Sequence, residues 1–286
     1  MPIYKPSELS EFLYGLGISP KKALSQNFLI DGNIIRKIVK DSKVESGDVV
    51  LEVGPGPGSL TEALLESGAA VVAVEKDPML AQALERFRSG DKSLTVFCED
   101  IMDFPIAEKL KAVLPEGKKG KAIANLPYHL TTPIIARLIE MHDVFSSLTL
   151  MVQEEVARRF VAKPGTKDYS SFTVFLEFYC KPHYAFSVGR KCFYPSPKVD
   201  SAVVILELRE RPKVSDVEAF FKMTRTAFGH RRKMMRSSLK DLYGSQIVMQ
   251  GLEEIGCNPL GRPEDLSLEQ FVKLFEWLQV KIKKSS

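Results

Sequence analysis

Apolar positions along the chain alternate between two periods: short continuous runs that suit buried strands, and i, i+3, i+4 series that suit amphipathic helices. The run at 49–53, V-V-L-E-V, predicts a strand buried on both faces of a parallel sheet. Gly54, Gly56 and Gly58 follow at once, then Leu60, Leu64 and Leu65 at helical spacing, so the local order is strand, glycine turn, helix. Further strands are predicted at 70–75, 94–98, 121–124, 148–152, 184–188 and 202–208, with helices at 78–87 and 131–141. Ile34, Ile35, Ile38 and Val39 mark an amphipathic helix upstream, and Leu9, Phe12, Leu13 and Leu16 a short docked one. Alternating strands and helices imply a parallel sheet with right-handed crossovers. Phe172, Val174, Phe175, Phe178 and Tyr179 mark a buried segment that fits helix or strand equally. Beyond Pro212 and Lys213 the pattern is helical, at 217–228, 233–243, 247–255 and 268–281. The expectation is an α/β domain over 1–210 and a small all-helical domain over 211–286.

Charge changes this picture by singling out the second domain. Residues 211–286 hold 14 Lys and Arg against 9 Asp and Glu, a net of +5, while residues 1–210 stand at 26 against 27. A basic lobe beside an α/β domain points to a polyanionic substrate. No apolar run reaches the roughly 18 residues of a membrane span, and the N-terminus lacks a secretory pattern, so a cytoplasmic protein with no membrane partner is expected. Cys98, Cys180, Cys192 and Cys257 are scattered singly, as are the four histidines. Reduced thiols and no metal are the expectation.

The candidate chemistry gathers at the predicted strand ends. Glycines after the first strand let the backbone turn sharply and lie against a ligand. Glu75, 21 positions after Gly54, is placed to accept hydrogen bonds from both hydroxyls of a ribose. The glycines are spaced E-x-G-x-G-x-G rather than G-x-G-x-x-G, which disfavours a dinucleotide. Asp100, after the third strand, could accept from an adenine amino group, and by spacing alone reads equally as a helix N-cap. Asn125-Leu126-Pro127-Tyr128 ends the fourth strand. The Asn125 side-chain oxygen and the Leu126 carbonyl are acceptors for an exocyclic amine, Pro127 stiffens the turn, and Tyr128 can stack on a base.

The glycine loop resembles motif I of class I S-adenosylmethionine-dependent methyltransferases, and N-L-P-Y resembles motif IV of enzymes that methylate exocyclic amines. Q-N-F-L at 26–29, Q-E-E-V-A-R-R at 153–159, F-Y-P-S-P-K-V-D-S at 193–201 and F-G-H-R-R-K at 228–233 extend the likeness. Together they resemble the small-subunit (16S) ribosomal RNA adenine N6,N6-dimethyltransferases. That resemblance implies a Rossmann-like methyltransferase sheet of about seven strands, mostly parallel with the last antiparallel. It implies S-adenosyl-L-methionine as cofactor, leaving as S-adenosyl-L-homocysteine, held by Asn27, Leu29, Gly54, Gly56, Glu75, Asp100 and Asn125. It implies two adjacent adenines in the 3′-terminal helix loop as substrate, on small-subunit rRNA of the assembling 30S particle, met by a monomer. Phe193 would face the target base opposite Tyr128, and Arg231, Arg232, Lys233 and Arg236 would bind RNA. The rival readings are a large-subunit rRNA dimethyltransferase of the macrolide-resistance type, an assembly or transcription factor without catalysis, and a dinucleotide oxidoreductase.

Overall fold

The structure, a computed structural model, describes residues 5–18, 27–88, 93–230 and 233–285. Its strands in chain order are β1 (Phe28–Leu29), β2 (Val49–Val53), β3 (Ala70–Glu75), β4 (Leu94–Cys98), β5 (Gly120–Asn125), β6 (Phe145–Gln153), β7 (Cys180–Val188), β8 (Phe193–Tyr194) and β9 (Ser201–Leu208). Seven of them form one sheet in the order β4-β3-β2-β5-β6-β9-β7. β2 lies parallel to both β3 and β5, and every residue of β2 is buried, as its unbroken apolar run requires. β9 runs antiparallel to β6. The strand order reverses between β3 and β5 about β2, so the crevice where ligands bind an open α/β sheet opens at the carboxyl end of β2.

The helices are α1 (Pro6–Gly15), α2 (Gly32–Asp41), α3 (Ser59–Glu66), α4 (Pro78–Ala83), α5 (Ile106–Lys111), α6 (Thr131–Ile139), α7 (Glu154–Phe160), α8 (Ser171–Tyr179), α9 (Val217–Phe228), α10 (Met235–Ser238), α11 (Lys240–Tyr243), α12 (Ser245–Glu254) and α13 (Leu268–Ser285). Asp31 caps α2 and Asp77 caps α4, each accepting from two backbone N–H groups of the first turn. Leu9 and Leu13 of α1 pack with Phe28, Ile30 and Leu80 in a satellite cluster beside the main core.

The chain divides into two compact units, Met1–Ala157 with Pro182–Arg209, and Arg158–Lys181 with Glu210–Ser286. The division expected at 210 therefore needs one correction: Arg158–Lys181 belongs with the helical unit. The ambiguous aromatic stretch resolves as helix α8, started by a Ser170/Thr173 capping box. Its rings reach across to α9: Phe178 lies 5.0 Å from Phe221 and 5.3 Å from Phe220, centroid to centroid. Aromatic pairing with residues some 40 positions later holds this segment to the helical unit, a contact that local period does not encode. The helix predicted at 233–243 is instead two short ones, α10 and α11, separated at Leu239.

Candidate active site

Parallel pairing sets Val53 of β2 opposite Val74 of β3 and Ala124 of β5. The next residues, Gly54, Glu75 and Asn125, consequently leave the sheet at one edge. They line a single cavity of about 370 Å³, together with Asn27, Phe28, Gly56 and Asp100.

The glycine loop is built from left-handed backbone at Gly54, Gly56 and Gly58, with φ of 65°, 56° and 88°. It is tied to β3 through Glu75, whose Oε2 accepts from the Gly56 N–H at 3.0 Å and whose Oε1 accepts from the Asp77 N–H at 2.9 Å. Burial pushes the Glu75 carboxyl up, and the two backbone donors oppose that shift. Arg86 braces the loop from outside: its guanidinium donates to the Pro57 and Ala83 carbonyls and lies over the rings of Phe87 and Phe12.

Asp100 is held by two donors. Lys76 Nζ reaches Oδ2 at 2.7 Å and the Met102 N–H reaches Oδ1 at 2.9 Å, which together hold the carboxyl below its usual range. The Asn125 amide nitrogen donates to the Asn27 carbonyl at 3.0 Å. That bond selects the amide orientation, because a carbonyl accepts only from the NH₂ side, and it leaves Oδ1 as the acceptor available for another group. Leu126 N–H donates to the Met151 carbonyl at 3.2 Å, and the Tyr128 hydroxyl shares a 2.7 Å hydrogen bond with Ser201 Oγ. Burial raises the Tyr128 pKa, so the phenol is neutral at physiological pH. The cavity therefore carries an acceptor and an aromatic face at the end of β5, and a glycine cradle with two carboxylates at the ends of β2, β3 and β4.

Two residues named from the sequence lie elsewhere. Leu29 is buried in the main core and pairs with Phe193 across the two-stranded β1–β8 ribbon, while its neighbour Phe28 turns to the cavity. Successive side chains of a strand point to opposite faces, so Phe28 and Leu29 of β1 cannot both turn to the cavity; Asn27 precedes the strand. Phe28 packs against the loop so closely that a Cβ added at Gly56 would come within 3.0 Å of its ring. Phe193 is 3% exposed and belongs to the core cluster that contains Met151 and Val203, and it does not line the cavity with Tyr128. Phe28, Lys76, Arg86 and Ser201 went unnamed in the sequence reading. Of these Phe28 had a signal, its place between Asn27 and Leu29, and Ser201 another, as the last residue of the proline stretch at 193–201. Arg231 and Arg232 fall outside the described residues; Lys233 is exposed, and the Arg236 guanidinium lies 3.2 Å from Met249 Sδ within the helical unit. Among the described residues no cluster of three or more His, Cys, Asp or Glu is arranged to hold a metal, and no helix is long and apolar enough to cross a membrane.

Glu52, in the strand that leads to the loop, is 1% exposed; burial carries its pKa from 4.5 to about 8, with the Thr61 hydroxyl opposing and the Glu75 charge adding to the shift. A carboxyl that binds its proton more tightly when folded stabilises the fold fully below the unfolded pKa, and that contribution is lost as pH rises through the folded one. Stability should thus fall between about pH 4.5 and 8 from this group, by roughly 5 kcal/mol at most. Glu52→Gln is expected to flatten the decline, measured as Tm against pH; an unchanged slope would remove Glu52 as its source.

Comparison with known proteins places this geometry. The family described as ribosomal RNA adenine dimethylase matches residues 18–280. The chain is 62% identical over 278 residues to ribosomal RNA small subunit methyltransferase A of Protochlamydia amoebophila (strain UWE25), covering 97% of this chain and 98% of that protein. It is also similar to the crystal structure of a dimethyladenosine transferase from Plasmodium falciparum, with a TM-score of 0.74 and 26% identity over 90% of this chain and 98% of that one. A third likeness, to the crystal structure of the 23S rRNA methyltransferase ErmE, has a TM-score of 0.68 and 28% identity over 88% of this chain and 100% of that one.

Proposed function

The chain belongs to the ribosomal RNA adenine dimethylase family, and from that premise we propose that it transfers methyl groups from S-adenosylmethionine to the N6 amines of two adjacent adenines in the 3′-terminal helix loop of small-subunit rRNA. The observation that carries this reading is the convergence of Gly54, Glu75 and Asn125 on one cavity, with the Asn125 amide already turned by Asn27. The residues fit a nucleoside cofactor. A Cβ added at Gly54 would meet no protein atom within 4 Å although the residue lines the cavity, so the glycine borders open space. Glu75 suits a ribose diol and Asp100 an adenine amino group.

When bound, the cofactor supplies an electrophilic methyl group on a sulfonium. The rest is the chain's own work. An adenine N6 is a weak nucleophile because its lone pair is delocalised into the ring. Asn125 Oδ1 and the Leu126 carbonyl, accepting hydrogen bonds from the N6 hydrogens, favour a pyramidal nitrogen whose lone pair is free to attack. Tyr128, its hydroxyl pinned by Ser201, presents a ring on which an extruded base stacks. No general base is required, since the methylated ammonium loses its proton readily to water. Phe193, buried and paired with Leu29, supports the β1–β8 ribbon from the core rather than meeting the base. The helical unit contributes RNA binding through Lys233, with Arg231 and Arg232, and the enzyme acts as a cytoplasmic monomer on the assembling 30S particle.

The large-subunit alternative shares the fold, but its representative is 28% identical against 62% for the small-subunit relative. The two readings separate in one experiment. Protein incubated with labelled cofactor and, in parallel, unmethylated small subunits or large-subunit RNA is expected to label only the former, with dimethyladenosine at two neighbouring positions. Label confined to large-subunit RNA would overturn the assignment.

A further inference from the structure

The loop between β7 and β9 carries cations that neither the glycine cradle nor the N-L-P-Y corner uses. Arg190, Lys191 and Lys198 are all exposed. Among the described residues none of the three is in an ion pair, whereas Lys43, Lys76, Lys111 and Lys121 of the same unit each hold a carboxylate. The loop is stiff. Asp200 Oδ1 accepts from the Arg190 N–H at 2.9 Å, Ser196 Oγ donates to the Arg190 carbonyl at 2.9 Å, and Pro195 and Pro197 restrict the backbone between.

The connection meets two residues that line the cavity. Midway along it, Tyr194 pairs with the cavity-lining Phe28. At its end, Ser201 bonds the Tyr128 hydroxyl three positions after Lys198. The opposite side of the same cavity is lined by Glu75, Asp77, Glu99 and Asp100, of which Asp100 is paired with Lys76. Carboxylates thus line the nucleoside side, while the loop beside the tyrosine carries three cations outside ion pairs together with one carboxylate, Asp200, which is engaged by the Arg190 N–H. A polyanion is repelled from the first and held at the second. Val199, 44% exposed between Lys198 and Asp200, adds an apolar contact on the cationic side.

From this juxtaposition we infer that Arg190, Lys191 and Lys198 form a phosphate-binding surface in the catalytic unit, gripping the RNA backbone next to the adenine presented to Asn125 and Tyr128. The inference rests on the rRNA reading and adds to it a contact separate from the helical unit. Phosphate contacts fix the register of a nucleic acid on a protein without reading its sequence. Here they would set which nucleotide reaches the tyrosine.

The test uses the full chain with Arg190, Lys191 and Lys198 all replaced by alanine, and a naked RNA fragment containing the 3′-terminal hairpin. Each phosphate contact contributes about 0.7–0.9 to the slope of log affinity against log salt, so the slope should fall by roughly 2 relative to the unaltered protein. The KM for RNA should rise about tenfold or more at moderate salt, with kcat and cofactor affinity unchanged, and the difference should shrink as salt is raised. Should the triple variant fail to bind cofactor through misfolding, Lys191→Gln and Lys198→Gln singly should each lower the slope by about 0.7–0.9. An unchanged slope and RNA KM would overturn the inference. So would a loss seen only with assembled subunits and not with naked RNA, which would mean that the loop meets a ribosomal protein. If the unaltered protein modifies small-subunit RNA neither as the naked fragment nor within small subunits, it is the rRNA reading itself that fails.

Discussion

Replacing Asn125 by alanine is expected to lower the single-turnover rate of methyl transfer by about 10²–10³-fold, the usual loss when one hydrogen-bonding group aimed at a reacting centre is removed. The side chain has two separable duties. Its nitrogen donates to the Asn27 carbonyl, which orients it, and its oxygen remains as the acceptor for the amine. Asn125→Asp keeps an acceptor but removes the donor and sets a carboxylate against the Asn27 carbonyl, so it should fall between the natural enzyme and alanine. RNA affinity should hold in both variants, because neither touches the cationic surfaces. Cofactor affinity should drop modestly, since the segment at Asn27 loses its tie. Unaltered turnover in Asn125→Ala would remove this residue from the mechanism.

The second large effect concerns the glycine loop, where neighbouring glycines are required for different reasons. Gly58 has φ of 88°, and an added Cβ would lie 2.5 Å from Phe87 Cε2 and 2.7 Å from Leu84 Cδ2. Left-handed backbone costs alanine about 1–2 kcal/mol and overpacking a filled site a further 1–3 kcal/mol. Gly58→Ala should therefore lose roughly 2–5 kcal/mol of stability, several degrees or more in Tm. Gly54, at φ of 65°, has nothing within 4 Å of an added Cβ, so Gly54→Ala carries only the conformational part. Because Gly54 faces the cavity, its methyl group should instead obstruct the cofactor. Calorimetry should find Gly58→Ala the less stable variant and Gly54→Ala the weaker binder of S-adenosylmethionine. The reverse pattern would show that the loop is held by something other than the Phe87 and Leu84 packing.

Much of the site was legible because its determinants are local. Strand, glycine turn and helix follow from apolar period and from residues with special backbone freedom. Once the strands are parallel, the residues after them must emerge on one edge, and Gly54, Glu75 and Asn125 converge as the motif spacing implied. The parts that escaped depend on contacts between distant segments. Nothing around Lys76 in the chain signals a role, and only the fold shows that it holds Asp100, 24 residues on. Arg86 gave no signal of its link to the glycine loop, since the Pro57 carbonyl and the Phe12 ring lie 29 and 74 residues earlier in the chain.

By itself, the amino-acid order determined the parallel sheet, the nucleoside cradle and the N-L-P-Y corner, because each is written in periods and spacings of a few residues. Tertiary structure alone decided that Phe28 rather than Leu29 turns to the cavity, that Phe193 lies in the core, and that Arg158–Lys181 joins the helical unit. It also decided that the Asn125 side-chain oxygen, not its nitrogen, is left for chemistry, through a bond from that nitrogen to a carbonyl 98 residues away. A side chain's facing is set by strand register and packing partners brought together only when the chain closes on itself, and no local pattern carries that information.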